Sequence, residues 1–494
     1  MKRIHRPKKG IKGRGPFGMA LILTLSVLTT LSCSPFKPAG RSSVTGELPG
    51  RYSLYSEAPP GPDRWWERFA DPELNALVTE GLSGSFTLQE AWARLNQARA
   101  TALQARAARY PDLTISGAAS ASRQRVDQGS GGSTQNSESY SIGAAGGYEL
   151  DLWGKIRAEE QAATLSTAAS REDLNTAAIT LAAEITTHWI NVISTRTQKR
   201  LLESQLETNR TYLELIELRY RKSMATALEI YQQRQVVEKV RANIPLVESE
   251  EQLLCHELAL LLGKPPKADL GIHRQTLPLI ADLPATGLPA DLLAARPDIR
   301  AAGLRLQAVD WQVAAARANR LPAISLSASG SYGADELNLI FSNWLINLAA
   351  NLTAPIWDGH NRAAEVDRTL AVADENLAAY RLAVYTAVKE VEDALVGEAK
   401  LREHVQALDD EIDAAGRALE EARTRYLNGV DDYLPVLTQL LTIQDLEQDM
   451  IQRQAELLVQ RVSLHRALGG TWPQSLEPGP KNVNLSNEEN RHAG

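Results

Sequence analysis

The chain has 494 residues, of which 23% are charged and only 5% are aromatic, and its formal net charge is −7. That length exceeds one ordinary compact core, and the abundance of alanine, leucine, glutamate and glutamine favours long helices over a dense globular core. The negative charge argues against nucleic acid as a partner, because its phosphates would be repelled.

The amino terminus predicts export. A basic segment from Lys2 to Arg14 precedes an apolar run from Met19 to Leu31, which matches a secretory signal and is too short to span a membrane as a helix. We assign residues 1–32 to a signal peptide. Its removal takes away seven basic residues and leaves 46 Lys and Arg against 60 Asp and Glu, a net charge near −14. No long apolar run follows, so a membrane would have to be crossed by strands.

One of the two cysteines follows this signal directly. Thr30-Leu31-Ser32-Cys33 resembles a bacterial lipoprotein signal, which predicts acylation of Cys33 with chains such as palmitate and anchoring in outer membrane lipid. The alternative is an unlipidated signal with an incidental cysteine. Residues 33–62, rich in proline, glycine and serine, are then an extended, lipid-anchored tether. The other cysteine, Cys255, lies in a helical string and is expected to be a packed thiol.

A strand that runs into a long helix is the clearest local pattern. From Ser137 to Arg157 apolar and small residues alternate over the length of a membrane strand. From Lys155 to Asn243 there is neither glycine nor proline, which predicts helix. We expect a loop over Gln128 to Ser137, a joint near Ser223 to Thr226, and a kink or break at Ile244-Pro245.

The same plan occurs twice, which predicts an internal repeat. Arg109-Tyr110-Pro111 recurs as Arg320-Leu321-Pro322, 211 residues later, and Leu152-Trp153 recurs as Ile356-Trp357, 204 residues later. We therefore divide the chain into a first repeat, residues 63–270, and a second repeat, residues 271–470. Residues 471–494 are expected to be a flexible tail.

Two faces are predicted for the strands, one meeting lipid and the other meeting water in a lumen. The residues assigned to the lipid face are Tyr140, Ile142, Tyr148, Ile324, Leu326, Leu348 and Leu352. Those assigned to the lumen face are Ser325, Ser327, Ser329, Asn347, Asn351 and Thr353.

The second helical stretch carries apolar residues at steps of three and four, close to the coiled-coil period. They are Val384, Val388, Val391, Leu395, Leu401, Val405, Leu408, Ile412, Ala415, Leu419, Ala422 and Tyr426. A helix over Lys155 to Leu218 would extend roughly 95 Å at 1.5 Å per residue. An intracellular rod would explain such helices but neither the signal nor the strands.

Four strands cannot close a membrane barrel, which needs at least about eight. We therefore predict a mixed fold class: a long α-helical coiled-coil barrel combined with four strands per chain, with a homotrimer forming a 12-stranded membrane β-barrel.

Several motifs, in this order, resemble the outer-membrane efflux proteins, the TolC-like family, and in particular its lipoprotein branch. They are WW at 65–66, DPEL at 71–74, Arg109-x-Pro111, ELDLWG at 149–154, ARPDIRAA at 295–302, PIWDG at 355–359 and RYLNGVDDYLPVL at 425–437. The resemblance implies a trimeric channel-tunnel in the outer membrane. It also implies two partners, a periplasmic adaptor (membrane fusion) protein and an inner-membrane pump of the RND type.

The resemblance further implies a gate at the periplasmic tip of the helices, closed by acids and hydrogen bonds. The residues carried over are Tyr220, Glu229, Gln232, Tyr426, Asp431, Asp432 and Thr438. This sequence departs from the family at Pro435 and Thr438, where relatives carry aspartates. For Asp431 and Asp432 a helix-capping pair is the alternative.

No catalytic constellation, phosphate-binding loop or metal-ligand cluster stands out, so we expect a non-enzyme without cofactors. His188, His256, His360 and His465 are isolated and are expected to be solvated or core residues. The predicted function is a passive exit duct for small molecules. The alternatives are an outer-membrane conduit for type I protein secretion and a lipid-anchored periplasmic scaffold.

Overall fold

A computed structural model describes residues 36–38, 48–54, 64–127, 132–280 and 283–477. The signal peptide and Cys33 lie outside these residues. The chain divides into two compact units. The strand unit contains residues 99–166 and 306–376 together with 36–38, and the helical unit contains residues 48–98, 167–305 and 377–477 where they are described. Each unit takes segments from both predicted repeats, and the repeat boundaries stay a prediction.

Eight α-helices account for most of the described residues. They are α1 (Pro72–Gly84), α2 (Phe86–Ala107), α3 (Lys155–Arg221), α4 (Ala227–Leu261), α5 (Leu292–Ala295), α6 (Pro297–Ala318), α7 (Asn361–Leu427) and α8 (Leu434–Leu468). Short 3-10 helices cover Trp65–Phe69, Pro289–Asp291, Leu337–Leu339 and Trp472–Ser475. None of the helices in the described ranges is long and apolar enough to cross a membrane.

The repeat is visible in the helix lengths. Helices α2 and α6 each have 22 residues, α3 and α7 each have 67, and α4 and α8 each have 35. The predicted joint near Ser223 to Thr226 is confirmed, because α3 ends at Arg221 and α4 begins at Ala227. The repeated sequence therefore produces two copies of one helical plan.

A local sequence signal determines where α1 begins. Asp71 caps α1 by accepting hydrogen bonds from the backbone N of Glu73 and Leu74 at 2.8 and 3.1 Å, and Pro72 occupies the first helical position. The break considered at Pro245 does not occur, since α4 runs through this proline. Val240 and Val247 are buried on either side of it, so packing holds the helix across one lost hydrogen bond.

Four antiparallel strands form one sheet in the strand unit, in the order β1-β2-β3-β4. They are β1 (Asp112–Asp127), β2 (Gly132–Leu150), β3 (Ala323–Ala334) and β4 (Trp344–Thr353). The loop predicted over Gln128 to Ser137 is too long, because β2 begins at Gly132. Pairing with β1 continues to this end, where Asp127 lies opposite Gly132, and five residues further along β2 the hydroxyls of Ser122 and Ser137 lie 2.7 Å apart.

The core of the helical unit contains the largest buried side chains. Trp66 makes an edge contact with Trp472 at 4.9 Å between ring centres, and Trp65 stacks on His465 at 5.2 Å. One helical turn before His465, the buried Arg461 forms an ion pair with the buried Glu398 at 2.6 Å. We call these four rings and this ion pair the tryptophan core.

The coiled-coil seam predicted in the second repeat lies along α7, and most of its members are buried. The buried members are Val384, Val391, Leu395, Leu408, Ala415, Ala422 and Tyr426. This confirms that the apolar spacing marks the packed face of the helix. In the strand unit the buried residues of α3, α6 and α7 are mainly alanine and valine, as at Ala158, Val313 and Ala373.

Two terminal segments are packed more closely than their composition suggests. In the predicted tether, Tyr52 is buried and the Ser53 backbone N donates to Glu392 Oε1 at 2.9 Å. The flexible tail was predicted to begin at residue 471, but Trp472 is buried in the tryptophan core. Arg171 Nη2 donates to the backbone oxygens of Gln474 and Leu476 at 3.1 and 2.9 Å. The packed chain therefore extends at least to Leu476.

Candidate functional site

The candidate site lies at the two turns that join the long helices of the helical unit. Residues 222–226 connect α3 to α4, and residues 428–433 connect α7 to α8. Each turn has a residue in the left-handed region, Ser223 with φ 59° and Gly429 with φ 72°, where the chain leaves the helix. One apolar cluster has members from all four helices and packs the two helix pairs together. We call the two turns and the adjoining helix ends the tip.

Glu229 connects the two turns. Its Oε1 accepts hydrogen bonds from the Thr226 backbone N at 3.1 Å and from the Thr226 hydroxyl at 3.0 Å, completing a capping box at the start of α4. Its Oε2 accepts a hydrogen bond of 2.9 Å from the Tyr426 hydroxyl near the end of α7. One carboxylate therefore caps its own helix and holds the other helix pair.

Tyr426 is held as a neutral phenol. Burial, the hydrogen bond to Glu229 and the charge of that carboxylate raise the pKa of Tyr426 to about 12. The guanidinium carbon of Arg219 lies 4.4 Å from the ring centre, and Arg219 Nη2 donates to the Tyr426 backbone O at 3.3 Å. The phenol therefore remains a hydrogen-bond donor to Glu229 at neutral pH.

A chain of buried side chains continues from the second turn between the helices. The Tyr433 hydroxyl donates to Gln233 Oε1 at 2.6 Å, and Gln233 Nε2 donates to Asn209 Oδ1 at 3.0 Å. Asn209 Nδ2 in turn donates to Gln444 Oε1 at 3.2 Å. We call these four residues the amide chain. It joins α3, α4 and α8 to the second turn, and burial raises the pKa of Tyr433.

The structure brings together only Glu229 and Tyr426 among the residues predicted for the tip. Asp431 pairs with Arg425 at 2.6 Å, which lowers the pKa of the Asp431 carboxyl. Asp432 Oδ1 accepts a hydrogen bond of 3.3 Å from the Leu434 backbone N, but the N-cap of α8 is Tyr433 and no side chain caps this helix. Neither aspartate therefore occupies the N-cap position that was the alternative for this pair.

The other predicted tip residues lie outside this network. The side chain of Tyr220 is 47% exposed, and its hydroxyl forms no hydrogen bond to any described residue. Gln232 is half-buried, next to the amide-chain residue Gln233. The Thr438 hydroxyl donates to the Leu434 backbone O of its own helix at 2.9 Å. Pro435 lies in the first turn of α8. The gate role of all seven residues stays a prediction.

Sequence reasoning missed the amide chain and Arg219, since glutamine and asparagine in a helix are usually exposed. A signal was nevertheless present in α3. Gln205 and Asn209 lie one helical turn apart, beside the apolar positions Leu202 and Leu206 that form the buried face. Polar residues within an apolar stripe indicate buried hydrogen bonding.

Few side chains in the described part of the chain are candidates for binding a ligand. No group of histidine, cysteine and acidic side chains there is arranged to hold a metal ion. Burial and the charges of Arg461 and Arg68 lower the pKa of His465 to about 3, so this residue is a neutral member of the tryptophan core. His188 Nε2 lies 3.1 Å from Glu257 Oε2 at the surface.

The sheet register keeps the two predicted strand faces separate. Tyr148 lies opposite Leu326, and Ile324 lies opposite Leu352, so residues assigned to the lipid face are neighbours. Ser325 lies opposite Asn351, and Ser329 lies opposite Asn347, so residues assigned to the lumen face are also neighbours. The alternation is therefore maintained across strands, whereas the solvent on each side stays a prediction.

Comparison with known proteins gives a consistent result over most of the chain. The sequence profile of a family described as "Outer membrane efflux protein" matches residues 77–264 and 288–470. The two matched ranges fall within the first and second predicted repeats. The gap between them, residues 265–287, lies in the connector between α4 and α5.

Individual relatives agree with this match. The pyoverdine export outer membrane protein OpmQ of Pseudomonas aeruginosa is 34% identical over 83% of this chain and 87% of its own length. The toluene efflux pump outer membrane protein TtgF of Pseudomonas putida is 31% identical over 83% of this chain and 85% of its own. The solved outer-membrane channel OprN is similar with a TM-score of 0.77 and 28% identity, over 89% of this chain and 98% of that one.

The predicted fold class, outer membrane location and efflux function are confirmed by these similarities and by the helices and strands described above. The chain belongs to the outer membrane efflux protein family.

Proposed function

We propose that the chain is the passive exit duct of an efflux pump. It acts as a homotrimer, anchored in outer membrane lipid through Cys33, and joins a periplasmic adaptor protein and an inner-membrane pump. Four strands per chain require more than one copy to close a membrane barrel, and three chains supply twelve strands, above the roughly eight that closure needs. The sheet crosses the outer membrane, and the helices form the periplasmic tunnel.

Substrate choice belongs to the pump in this proposal. The named relatives include one for pyoverdine export and one for toluene efflux, which are chemically unlike compounds. The strand face assigned to the lumen carries serine, asparagine and threonine, which form hydrogen bonds without strong selectivity. The duct therefore passes what the pump delivers.

The tip is the closing device, and the bond from Tyr426 to Glu229 is the observation that carries this part of the proposal. It joins the α7–α8 turn to the start of α4 at 2.9 Å. The two helix pairs separate at the tip only if this bond breaks. A hydrogen bond to a charged group contributes about 1.5–3 kcal/mol, enough to change an opening equilibrium roughly tenfold or more.

The test is the conductance of the purified trimer in a planar bilayer. We expect Tyr426→Phe to raise the open fraction roughly tenfold, because it removes only the hydroxyl that reaches Glu229. Adding Asp431→Ala to this variant should raise the open fraction further if the ion pair of Asp431 with Arg425 stabilises the closed conformation of the turn.

Tyr220→Phe is the matched control. It removes a tyrosine hydroxyl at the end of α3 that belongs to the tip. Because this hydroxyl forms no hydrogen bond to a described residue, we expect the conductance to stay at the wild-type value. Equal conductance of Tyr426→Phe and wild type would reject the Tyr426–Glu229 gate. If the purified protein is monomeric and shows no conductance, the exit-duct proposal is rejected and the alternative of a lipid-anchored periplasmic scaffold is favoured.

A further inference from the structure

A cavity with mainly polar side chains lies between three helices of the helical unit, away from the tip. Its volume is about 450 Å³, and its lining residues come from α3, α4 and α8. Ser194, one of these residues, lies 27 residues before the end of α3, which is about 40 Å along the helix axis. We call this space the polar cavity. It is separate from the hydrogen bonds that connect the two turns of the tip.

Helix α3 presents a row of polar side chains to the polar cavity. Asn191, Ser194 and Gln198 follow one another at steps of three and four residues, so they lie on one face of the helix. All three are half-buried, and their side chains form no hydrogen bond with any residue that the structure describes. Beside them, Ile190 and Ile193 are fully buried and hold this part of α3 in place. Hydrogen-bonding groups are therefore held at a fixed position without a protein partner.

Two carboxylates line the polar cavity from the other helices, Glu250 from α4 and Glu456 from α8. Glu250 forms no ion pair within the described ranges. Glu456 Oε2 lies 2.5 Å from Arg453 Nη1, but Arg453 Nε also pairs with Asp449 at 2.9 Å. Three carboxylates therefore share one guanidinium here, and the polar cavity has an excess of negative charge.

The internal repeat indicates which cation suits this excess charge. Glu250 and Glu456 are equivalent residues of the two repeats, 206 positions apart, the same separation that relates both ends of α3 to both ends of α7. At this separation the equivalent of Ser194 is Lys400. The second repeat therefore carries an ammonium group of its own at the position where the first repeat has a neutral hydroxyl.

We propose that the polar cavity binds a small organic amine, with the ammonium group between Glu250 and Glu456 and next to Ser194. An ammonium group donates three hydrogen bonds and accepts none, which matches carboxylate, hydroxyl and amide oxygens. Leu254 and Val459 also line the polar cavity and supply apolar contacts for an alkyl chain. The site lies within one chain and does not depend on the proposed exit duct.

The bound amine has a structural consequence for the helical unit. Helices α4 and α8 belong to different helix pairs, and the ammonium group would contact a carboxylate from each of them. A ligand that binds only the folded protein raises its stability in proportion to the logarithm of the ligand concentration above the dissociation constant. Amine binding should therefore raise the unfolding temperature.

Diaminopentane is the probe for this site, used with the purified full-length protein in detergent. We expect calorimetric titration to show saturable binding of one amine per chain, and circular dichroism to show unfolding at a temperature several degrees higher. Pentanediol is the matched control, because it has the same alkyl chain without the charge, and it should do neither. Absence of saturable binding, or equal binding of pentanediol, overturns the proposal.

Three variants locate the amine. Glu250→Gln keeps the shape of the side chain and removes its charge, so the dissociation constant should rise about tenfold or more. Ser194→Lys introduces the lysine of the second repeat, which should occupy the site and abolish binding. Glu248→Gln is the matched control on α4: Glu248 pairs with Lys199 at 2.8 Å and does not line the polar cavity. Its dissociation constant should equal that of the wild type.

The variants also distinguish this site from general attraction to an acidic protein. Equal weakening by Glu248→Gln and Glu250→Gln would mean that the amine responds to overall negative charge, and the polar cavity would be rejected as its site. Wild-type affinity in a Ser194→Lys variant with unchanged helical circular dichroism would overturn the position of the ammonium group. Either result leaves the exit duct standing, since conductance tests that proposal separately.

Discussion

The tip and the tryptophan core lie in the same helical unit but use buried polar groups differently. In the tryptophan core, Glu398 is 1% exposed and accepts hydrogen bonds from both Arg461 and Arg402, at 2.6 and 2.9 Å. At the tip, Glu229 is half-buried and receives a single bond from Tyr426 of the other helix pair. A fully buried carboxylate such as that of Glu398 holds the helices in one arrangement, because breaking its ion pair would leave a buried charge without a partner. A half-buried carboxylate such as that of Glu229 can instead exchange its partner for water.

The comparison predicts that substitutions in the tryptophan core change stability and that substitutions at the tip change conductance. The largest effect is expected for Glu398→Ala. It leaves the Arg461 guanidinium buried without its carboxylate, so the free energy of unfolding falls by about 3–5 kcal/mol. Guanidinium unfolding followed by circular dichroism measures this loss. Glu403→Ala, which removes an exposed partner of Lys400, changes it by less than about 1 kcal/mol.

A pH experiment sharpens the same contrast. The pKa of His465 is lowered to about 3 in the folded chain, whereas an unfolded histidine titrates near 6.5. Between these two pH values the unfolded state binds a proton on this histidine and the folded state does not. The contribution of His465 to the free energy of unfolding is therefore fully present above about pH 6.5 and is lost as pH falls toward 3. The expected slope from this residue is about 1.4 kcal/mol per pH unit. In His465→Phe that part of the slope disappears. An identical slope in the variant would place the acid sensitivity elsewhere.

The smallest expected effect on stability is at the tip. Gln233→Leu interrupts the amide chain and leaves the Tyr433 hydroxyl and Asn209 Oδ1 without the partner that Gln233 provides, a cost of about 1–3 kcal/mol. Because these groups join three helices to the second turn, the same variant should increase bilayer conductance. Glu398→Ala should not. If Gln233→Leu lowers stability without altering conductance, the amide chain belongs with the tryptophan core as a purely structural element.

The sequence predicted the elements well because their signals are local and periodic. The glycine-free run after Lys155 and the alternation around Tyr148 each identify one kind of element over many residues. The network at the tip depends instead on residues far apart in the chain: Tyr426 and Glu229, or Tyr433 and Gln233, are about 200 positions apart. The family resemblance led to Glu229 and Tyr426, but nothing in the pattern of Gln233 distinguishes it from its exposed neighbour Arg234.

Predictions based on composition were the least successful. Serine and glycine between Gln128 and Ser137 favour a loop, yet pairing with β1 provides the backbone partners that make residues 132–137 strand. The proline-rich segment after Gly469 also suggests a tail, but one aromatic residue, Trp472, anchors it. Tertiary contacts therefore outweighed local preference in both places.

The equal lengths of α3 and α7 restrict how proteins with this plan can evolve. Both helices have 67 residues, and Tyr426 near the end of one must meet Glu229 just beyond the end of the other. Deleting two turns from α7 alone would move Tyr426 by about 11 Å along the helix axis, far beyond hydrogen-bond reach. A longer or shorter tunnel that keeps this contact therefore requires matched insertions or deletions in both halves of the chain, because a change in one half alone would separate Tyr426 from Glu229.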